Sequence, residues 1–424
     1  MSVLPRTDRL TGHNAAQAYD VERVRADFPV LAREVYGKPL VYLDNAASAQ
    51  KPRAVIEAMQ AVLENEYTNV HRGAHYLSQQ LTDRYEAVRE SVAAFLNAGS
   101  PEEVVITRNA TEAINLVASS HGGRHLRAGD EIIVSEMEHH ANIVPWQMLC
   151  ERNGLTLKVA RIHDDGALDM AHFESLLGPA VKLVAITHCS NVLGTTVPAA
   201  EITRLAHASG ALVLFDGSQA AVHMPVDVRA IDADFYVFTG HKLYGPTAVG
   251  ILYGKADLLA AMPPYQGGGD MIERVSFEGT TYAEPPHRFE AGTPPIVEVI
   301  GLGAAVDYVN ALGMENIAAH EAALVDYGHR RLGAIDGLRL YGTAEGKAAI
   351  FSFAVDGLHP YDTAAALDRE GVAVRVGQHC AEPLMARLGV DGTVRASCGL
   401  YTSLQDIDRL AEAIVKAKSL FGVA

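Results

Sequence analysis

The residues of this chain that could do chemistry are concentrated where predicted strands end. Between about Val41 and Gly254, short apolar runs rich in β-branched residues alternate with helix-like segments; the runs are EVVIT, DEIIVS, KLVAIT, ALVLFD, DFYVFT and GILYG. This alternation predicts βαβ units and a largely parallel, buried sheet. Ligands of such sheets bind beyond the carboxyl ends of the strands, so the residues after these runs are candidates for a site.

Polar or ionisable residues follow five of these runs in succession. In chain order they are Thr111 and Glu112, then His139, His140 and Asn142, then Asn191, then Asp216, Ser218 and Gln219, and finally Thr239, His241 and Lys242. Each residue alone has an ordinary explanation, because a lone aspartate is usually a turn residue and a lone lysine is usually solvated. Five such ends at one edge of a sheet indicate a site. Neither a GxGxxG motif nor a P-loop follows any strand, which argues against a nucleotide site.

The types of these residues indicate one kind of cofactor. A lysine at a strand end, an aspartate one strand earlier and a hydroxyl in the first turn of a helix are the parts of a pyridoxal 5'-phosphate (PLP) site. That cofactor needs an amine for its covalent link, an acid at its pyridine nitrogen and a cradle for its phosphate. We therefore predict PLP, with Lys242 and Asp216 as its principal contacts.

A further candidate is Cys380, which lies in the segment VAVRVGQHCAEPLMARLG near the C-terminus. Its thiol could be an inert packing group, a metal ligand or a nucleophile. The polar flanks argue against packing, and no second pair of ligands lies at metal-site spacing. His379 and Arg375, both potentially cationic, could lower the pKa of the thiol. The other cysteines are predicted to lie in the core; they are Cys150, Cys189 and Cys398.

Composition sets limits on compartment and partners. The net charge of −16 argues against binding to nucleic acid or to an anionic membrane. No run of about eighteen apolar residues suggests a membrane span. Four scattered cysteines and a start without an export pattern predict a protein of the reducing cytoplasm.

The chain is long enough for more than one domain. We predict an N-terminal segment (1–35) that packs on a small domain, a large domain (36–300), and a small C-terminal domain of α+β composition (301–424). The Gly- and Pro-rich stretch 263–295 is predicted to be an ordered excursion around the site.

Several short motifs occur together and in a family-like order between about residues 22 and 421. They are LDNAASAQKP, VHRGAH, MEHHANIVPWQ, SNVLGT, DGSQA, GHKLYGP, RFEAGTP and RVGQHCAEPLM. In this combination the chain resembles the class-V branch of the fold-type-I PLP enzymes, and in particular the SufS-type (group II) cysteine desulfurases. The resemblance implies PLP fold type I: an α/β large domain with a mostly parallel, mixed central sheet flanked by helices, plus a smaller α+β domain.

The resemblance also implies an activity. The enzyme would remove sulfur from L-cysteine, release L-alanine, and hold the sulfur as a persulfide on Cys380. A sulfur-acceptor protein of SufE or SufU type would then receive it for iron–sulfur cluster assembly, and the enzyme would be a cytoplasmic homodimer. Three alternatives remain: a selenocysteine lyase, a generic aminotransferase, and a catalytically silent PLP-fold scaffold protein. Silent relatives usually lose the lysine or the thiol, and both are present here.

For the cofactor, the resemblance implies specific contacts. Lys242 would hold PLP and shuttle protons, His139 would stack on the pyridine ring, Asp216 would pair with the ring nitrogen, and Gln219 would reach the phenolic oxygen. The phosphate contacts would be Thr111, Thr239 and His241, with Thr293 contributed by the second subunit.

For the substrate, the resemblance implies a carboxylate clamp made by Arg395 and Asn191. A guanidinium fork suits that planar target. Arg375 and His71 would line the entrance, and Cys380 would take the sulfur. No metal is expected.

Overall fold

The computed structural model describes residues 19–423, so residues 1–18 of the predicted N-terminal segment lie outside the described residues. The helices are α1 Val21–Ala26, α2 Arg53–Ala61, α3 Tyr76–Phe95, α4 Ala110–Val117, α5 Gly123–His125, α6 Val144–Asn153, α7 Met170–Leu176, α8 Ala199–Ala208, α9 Ala220–His223, α10 Ala256–Ala261, α11 Ile296–Leu312, α12 Met314–Gly333, α13 Pro360–Arg369, α14 Glu382–Leu388 and α15 Leu404–Leu420. The strands are β1 Glu34–Val35, β2 Lys38–Pro39, β3 Val41–Tyr42, β4 Val104–Thr107, β5 Glu131–Ser135, β6 Thr156–Ala160, β7 Val181–Thr187, β8 Leu212–Asp216, β9 Phe235–Thr239, β10 Gly250–Gly254, β11 Ile272–Ser276, β12 Gly279–Tyr282, β13 Leu338–Tyr341, β14 Ile350–Val355, β15 Val372–Ala373, β16 Arg375–Gly377 and β17 Thr393–Ser397.

The central sheet has seven strands within the described residues, in the order β4-β10-β9-β8-β7-β5-β6. Strands β5 to β9 are parallel to one another, whereas β10 is antiparallel to both β9 and β4. Two successive reversals return β4 to the direction of β9. The carboxyl ends of β4, β5, β7, β8 and β9 therefore meet at one edge, and the predicted mixed, mostly parallel sheet is confirmed.

Helices cover both faces of this sheet because its strands are apolar on both sides. Successive residues of β4 illustrate the alternation: Val104 and Ile106 belong to one hydrophobic cluster and Val105 to the other. Trp146 of α6 covers one face, and Ile202 of α8 covers the opposite face. The edge strand β6 is half exposed, which explains why its sequence shows no apolar run.

A smaller antiparallel sheet, in the order β13-β14-β17-β16, carries the C-terminal part of the site. Helices α12, α13 and α15 pack on it around a separate core cluster. A capping box between Ser403 and Asp406 begins α15. Arg375 of β16 and Arg395 of β17 lie opposite each other in this sheet, and both reach the same region as the strand ends described above. The predicted α+β composition is confirmed.

The described part of the N-terminal segment contacts residues near α15. Tyr19 donates a hydrogen bond of 2.6 Å to the carbonyl oxygen of Leu400, and Arg25 forms an ion pair of 2.6 Å with Asp406. In addition, β3 pairs with β15, which ties residues 41–42 to residues 372–373. The domain boundaries at 36 and 301 stay predictions.

Helices α11 and α12 form a bent pair that connects the two sheets. Gly313 lies between them at φ 84°, and the two helix axes differ in direction by 74°. Among the described residues, no single helix is long and apolar enough to cross a membrane; this bent pair passes that test only by length and composition.

Candidate active site

A cavity of about 240 Å³ lies at the carboxyl edge of the central sheet. Most of the predicted site residues line it: Thr111, His139, Asn191, Asp216, Thr239, His241, Lys242, Arg375, Cys380 and Arg395. They come from segments that are far apart in the chain, and they meet because the ends of the parallel strands meet.

Three predicted site residues lie outside this cavity. Gln219 is buried behind it and donates a hydrogen bond of 2.9 Å to the carbonyl oxygen of Ala46, which does line the cavity. Thr293 lines a second cavity together with Glu112. His71 lines a third, where its Nε2 lies 2.8 Å from Glu86.

Lys242 follows β9 in a turn and lines the same cavity as Asp216. Burial lowers the pKa of Lys242 below its ordinary value, and the nearby Asp216 opposes that shift. Asp216 accepts a hydrogen bond of 3.0 Å from the backbone N–H of Ser218, so its carboxylate is oriented by its own turn. Only glycine fits at Gly217 in this turn, because a Cβ there would lie 2.1 Å from the ring of Tyr236.

His139 is held as a neutral imidazole. Its Nδ1 accepts a hydrogen bond of 3.0 Å from the backbone N–H of Ala141, so the ring hydrogen of the neutral form lies on Nε2. Burial, with a further contribution from Lys242, lowers its pKa to about 4. A neutral ring adds no positive charge beside the amine of Lys242.

The phosphate-binding residues predicted from the sequence offer donors that the protein itself does not use. The hydroxyl of Thr239 is buried and has no hydrogen-bond partner within residues 19–423. Asn109 caps α4, accepting a hydrogen bond of 2.8 Å from the N–H of Glu112, and Thr111 lies in the first turn of that helix. A helix N-terminus beside an unpaired hydroxyl fits a phosphate group. Together with Lys242 and Asp216, these residues fit PLP.

Arg395 is buried and keeps one donor free. Its Nη1 donates a hydrogen bond of 3.0 Å to the carbonyl oxygen of Asn191, and its Nη2 donates one of 3.4 Å to Asp44. Its Nε has no partner in the described part of the chain. Burial lowers the pKa of Arg395 to about 10, so the side chain is charged at neutral pH. A buried cation with an unused donor suits an anionic ligand.

Asp44 is a site residue that the sequence analysis missed. Its carboxylate accepts hydrogen bonds of 3.1 Å from both Nε and Nη2 of Arg375, in addition to the contact with Arg395. It therefore holds together the two arginines that line the cavity. The signal was present, because Asp44 belongs to the motif LDNAASAQKP, but a lone aspartate after a short strand has no chemistry of its own to reveal it.

Glu138 was missed as well. Its carboxylate is fully buried and accepts hydrogen bonds from the Ser135 hydroxyl (2.5 Å), the Thr187 backbone N–H (3.0 Å) and the Asn142 amide (2.7 Å). Burial raises its pKa to about 7. Glu138 thus links β5 and β7 to the turn that carries His139, a role that the motif MEHHAN alone does not reveal.

Cys380 lies in a short loop between β16 and α14, and its side chain is exposed. His379 and Cys380 both have a left-handed backbone, at φ 54° and 55°. The loop is held in this conformation from outside: the N–H of His140 donates to the Cys380 carbonyl (2.7 Å), and the Asn191 amide donates to the His379 carbonyl (2.9 Å). Of the cysteines predicted to lie in the core, Cys189 and Cys398 are buried, whereas Cys150 is only half-buried.

The suggestion that His379 is cationic is wrong. Its Nε2 lies 2.9 Å from the Thr393 hydroxyl, and burial lowers its pKa to about 3, so the ring is neutral at physiological pH. Arg375 is the remaining cation of the pair. Its hydrogen bonds to Asp44 raise its pKa further, and Cys380 contributes in the same direction.

Comparison with known proteins identifies the family. The profile of the class-V aminotransferases matches residues 41–410. A cysteine desulfurase of Dickeya dadantii (strain 3937) is 53% identical over 405 residues, which are 95% of this chain and 98% of that protein. The chain belongs to the class-V aminotransferases, among the cysteine desulfurases.

Solved structures agree with this assignment to the cysteine desulfurases. The crystal structure of the cysteine desulfurase CsdA (S-sulfonic acid) from Escherichia coli has a TM-score of 0.87 and 41% identity, covering 95% of this chain and 100% of that one. A mutant of the protein C-DES with glycine covalently linked to its PLP cofactor has a TM-score of 0.78 and 25% identity, covering 92% of this chain and 98% of that one.

The predicted family, fold, enzyme class and PLP cofactor are thereby confirmed. The alternative of a catalytically silent scaffold is wrong, because the chain is a cysteine desulfurase enzyme.

Proposed function

We propose that the chain transfers the sulfur of L-cysteine to Cys380 as a persulfide, releases L-alanine, and supplies that sulfur for iron–sulfur cluster assembly. One observation carries the proposal: the exposed thiol of Cys380 lines the same cavity as Lys242, Asp216 and Arg395. An acceptor, an amine, an acid and a carboxylate-binding cation are the groups that this reaction needs.

Lys242 would bind PLP covalently through its amine, and its lowered pKa favours the nucleophilic neutral form. When bound, the cofactor accepts the electron pair of a bond broken at the substrate α-carbon. Asp216 would keep the pyridine nitrogen protonated, and the neutral His139 would pack against the ring. The phosphate would take the unused hydroxyl of Thr239. Further contacts would be Thr111 and His241 for the phosphate and Gln219 for the phenolic oxygen.

Arg395 would bind the carboxylate of L-cysteine. Its free Nε and its permanent charge support this role, and Asn191 would complete the clamp. Arg375 lies half exposed at the cavity and would line the entrance. His71 would line the entrance as well.

In the sulfur-transfer step, the Cys380 thiolate would attack the substrate sulfur. A sulfur–sulfur bond forms, the carbon–sulfur bond breaks, and its electron pair remains on the carbon side. Lys242 would return a proton to that carbon, so that cysteine and a thiol become alanine and a persulfide. Arg375, the cation beside Cys380, would favour the thiolate.

The exposed position of Cys380 would let a second protein take the sulfur. We propose an acceptor of SufE or SufU type in the cytoplasm. We also propose a homodimer, in which Thr293 would contact the phosphate of the other subunit. The exposed hairpin β11–β12, with an exposed Phe277 at its tip, supports a partner surface.

Mass spectrometry after brief exposure to L-cysteine tests the proposal. The peptide containing Cys380 should gain the mass of one sulfur atom, and Cys380→Ala should retain bound PLP but release little sulfide. Cys150→Ala, which removes a half-buried thiol outside the cavity, is the matched control and should behave as wild type. Normal turnover of cysteine by Cys380→Ala would contradict the proposal.

The Cys380→Ala variant also distinguishes a cysteine desulfurase from the alternative, a selenocysteine lyase. Selenide leaves carbon more readily than sulfide, so loss of the Cys380 thiol should reduce turnover of L-selenocysteine much less than turnover of L-cysteine. Equal losses of turnover on both substrates would mean that the thiol acts in a step common to both reactions, and not specifically as the sulfur acceptor.

A further inference from the structure

Three buried side chains form a chain of contacts from α12 to the edge of the cavity. Nδ1 of His223, the last residue of α9, lies 2.7 Å from Oε2 of Glu321 on α12, and the two side chains are 4% and 3% exposed. The other ring nitrogen, Nε2, lies 3.3 Å from Oε1 of Gln219. Nε2 of Gln219 donates a hydrogen bond of 2.9 Å to the carbonyl oxygen of Ala46, which lines the cavity.

The Ala46 carbonyl determines which way the Gln219 amide points. A carbonyl oxygen can only accept, so Gln219 presents its NH₂ group to Ala46 and its own oxygen to His223. That amide oxygen is also only an acceptor, so Nε2 of His223 must carry a hydrogen. Without it, two lone pairs would face each other and the amide would turn over, losing the bond to Ala46.

Glu321 supplies the negative charge that retains this hydrogen. Within residues 19–423, no lysine or arginine pairs with Glu321, and its Oε1 has no hydrogen-bond partner. The other titratable groups that interact with it come from the surrounding elements and carry no positive charge at neutral pH: Tyr19, Cys189, Tyr244, His320 and Cys398. A buried carboxylate needs a partner, and His223 is the partner available.

We propose that Glu321 and His223 are positioning residues that hold Gln219 with an N–H available to the phenolic oxygen of PLP. The inference rests on the proposed function, which assigns that contact to Gln219. The amide has two hydrogens, and one of them is used by Ala46. A helix packed on the small sheet thereby controls a donor at the cofactor, although neither Glu321 nor His223 reaches the cavity.

The protonation of His223 can be measured directly by ¹⁵N NMR of the full-length holoenzyme labelled at histidine. The signals of His223 are identified by their loss in His223→Asn. In the wild type at neutral pH, Nε2 should be protonated. In Glu321→Gln, the ring loses its charged partner and should carry only one hydrogen, whereas the contacts of the wild-type ring call for one on each nitrogen. An unprotonated Nε2 in the wild type would overturn the proposal.

The absorbance of bound PLP provides a second measurement. A donor to the phenolic oxygen favours the form with more negative charge on that oxygen, so loss of the donor raises the midpoint of the absorbance titration. We expect Gln219→Ala and His223→Leu, which removes the donor to the Gln219 oxygen, each to raise the midpoint by about one pH unit, and the double variant to show no further change. Additive shifts would show that His223 does not act through Gln219.

A neighbouring histidine offers a matched control. His320 lies next to Glu321 on α12 but contacts the carbonyl oxygen of Thr402 (2.8 Å) and not Gln219. His320→Gln should leave the PLP titration unchanged, and an equal shift in this variant would mean a general disturbance of α12 and overturn the proposal. The NMR measurement does not depend on sulfur transfer. Absence of a Cys380 persulfide in the wild type would contradict the proposed function but would not change the measured protonation of His223.

Discussion

At the scale of single residues, the histidines that line the cavity are neutral, whereas its arginines stay charged. Burial is the largest cause of the lowered pKa values of His139, His241 and His379, which fall to about 4, 4 and 3. Arg395 stays charged despite its burial because its pKa falls only to about 10. Positive charge is thus kept where an anionic substrate would bind, while the histidines serve as hydrogen-bonding and packing groups.

The proposed phosphate contact of Thr239 can be tested by removing its hydroxyl. Thr239 has a buried Oγ1 without a partner in the described residues, which costs free energy in the protein without cofactor. Thr239→Val should therefore leave the cofactor-free protein equally or more stable, while PLP affinity falls by about tenfold, as expected for a lost hydrogen bond to a charged group. Thermal unfolding and fluorescence titration with PLP measure the two effects.

The experiment is informative because the two expected effects have opposite signs: stability without cofactor is kept or gained, whereas PLP affinity is lost. A variant that lost stability and affinity together would indicate a packing role for Thr239 and would contradict a phosphate contact. Thr203→Val is a suitable control, because Thr203 is also buried but its hydroxyl donates to the Ala199 carbonyl within α8.

At the scale of elements, the loop that carries Cys380 is stabilised by the large sheet and not by itself. Two consecutive left-handed residues cost about 1–2 kcal/mol each. Bonds from His140 and Asn191, which follow β5 and β7, offset that cost. The thiol therefore keeps a defined position beside the cofactor cavity while its side chain stays exposed.

Removal of a third contact, made by the side chain of His140, should loosen the loop. Nε2 of His140 accepts a hydrogen bond of 3.0 Å from the backbone N–H of Glu382, the first residue of α14. In His140→Ala, hydrogen exchange of the peptide 376–389 should become several-fold faster, because a net hydrogen bond contributes about 0.5–1.5 kcal/mol. Persulfide formation on Cys380 should slow in parallel.

Hydrogen–deuterium exchange read by mass spectrometry provides this comparison. His125→Ala, which changes an exposed histidine at the end of α5 whose ring packs on His121, should leave the exchange of peptide 376–389 unchanged. Unaltered exchange in His140→Ala would mean that the remaining bonds alone determine the loop conformation.

At the scale of the whole molecule, one chain keeps Thr293 apart from the other predicted phosphate contacts. Thr293 lines a cavity of its own with Glu112 and Gln266, whereas Thr111 and Thr239 line the central one. The proposed homodimer accounts for this separation, because a second subunit would bring its Thr293 to the phosphate.

A hybrid dimer distinguishes contribution in trans from contribution in cis. One subunit carries Lys242→Ala and the other carries Thr293→Val, each with a different affinity tag. If Thr293 acts in trans, the only subunit with Lys242 receives an intact Thr293 from its partner, and the hybrid binds one PLP with wild-type affinity. Weakened PLP binding in the hybrid, equal to that of the Thr293→Val homodimer, would contradict the trans arrangement.

The sequence by itself determined the features that depend on short-range pattern. Alternating apolar runs predicted the parallel strands, and polar residues after those runs predicted which edge carries the site, because strand direction and period fix where such residues lie. The chemistry of Lys242, Asp216 and Cys380 could likewise be inferred from residue type. The antiparallel direction of β10 and the strand β6 were not predicted individually.

Only the tertiary structure decided the properties that depend on burial and on contacts between distant segments. The sequence does not show whether a histidine is charged or neutral, so His379 was predicted to be a potential cation. The structure shows that burial lowers its pKa to about 3. Asp44 and Glu321 became informative only when folding placed Arg375 and His223 against them. Charge state and orientation are set by desolvation and by partners from other parts of the chain, which no local pattern can contain.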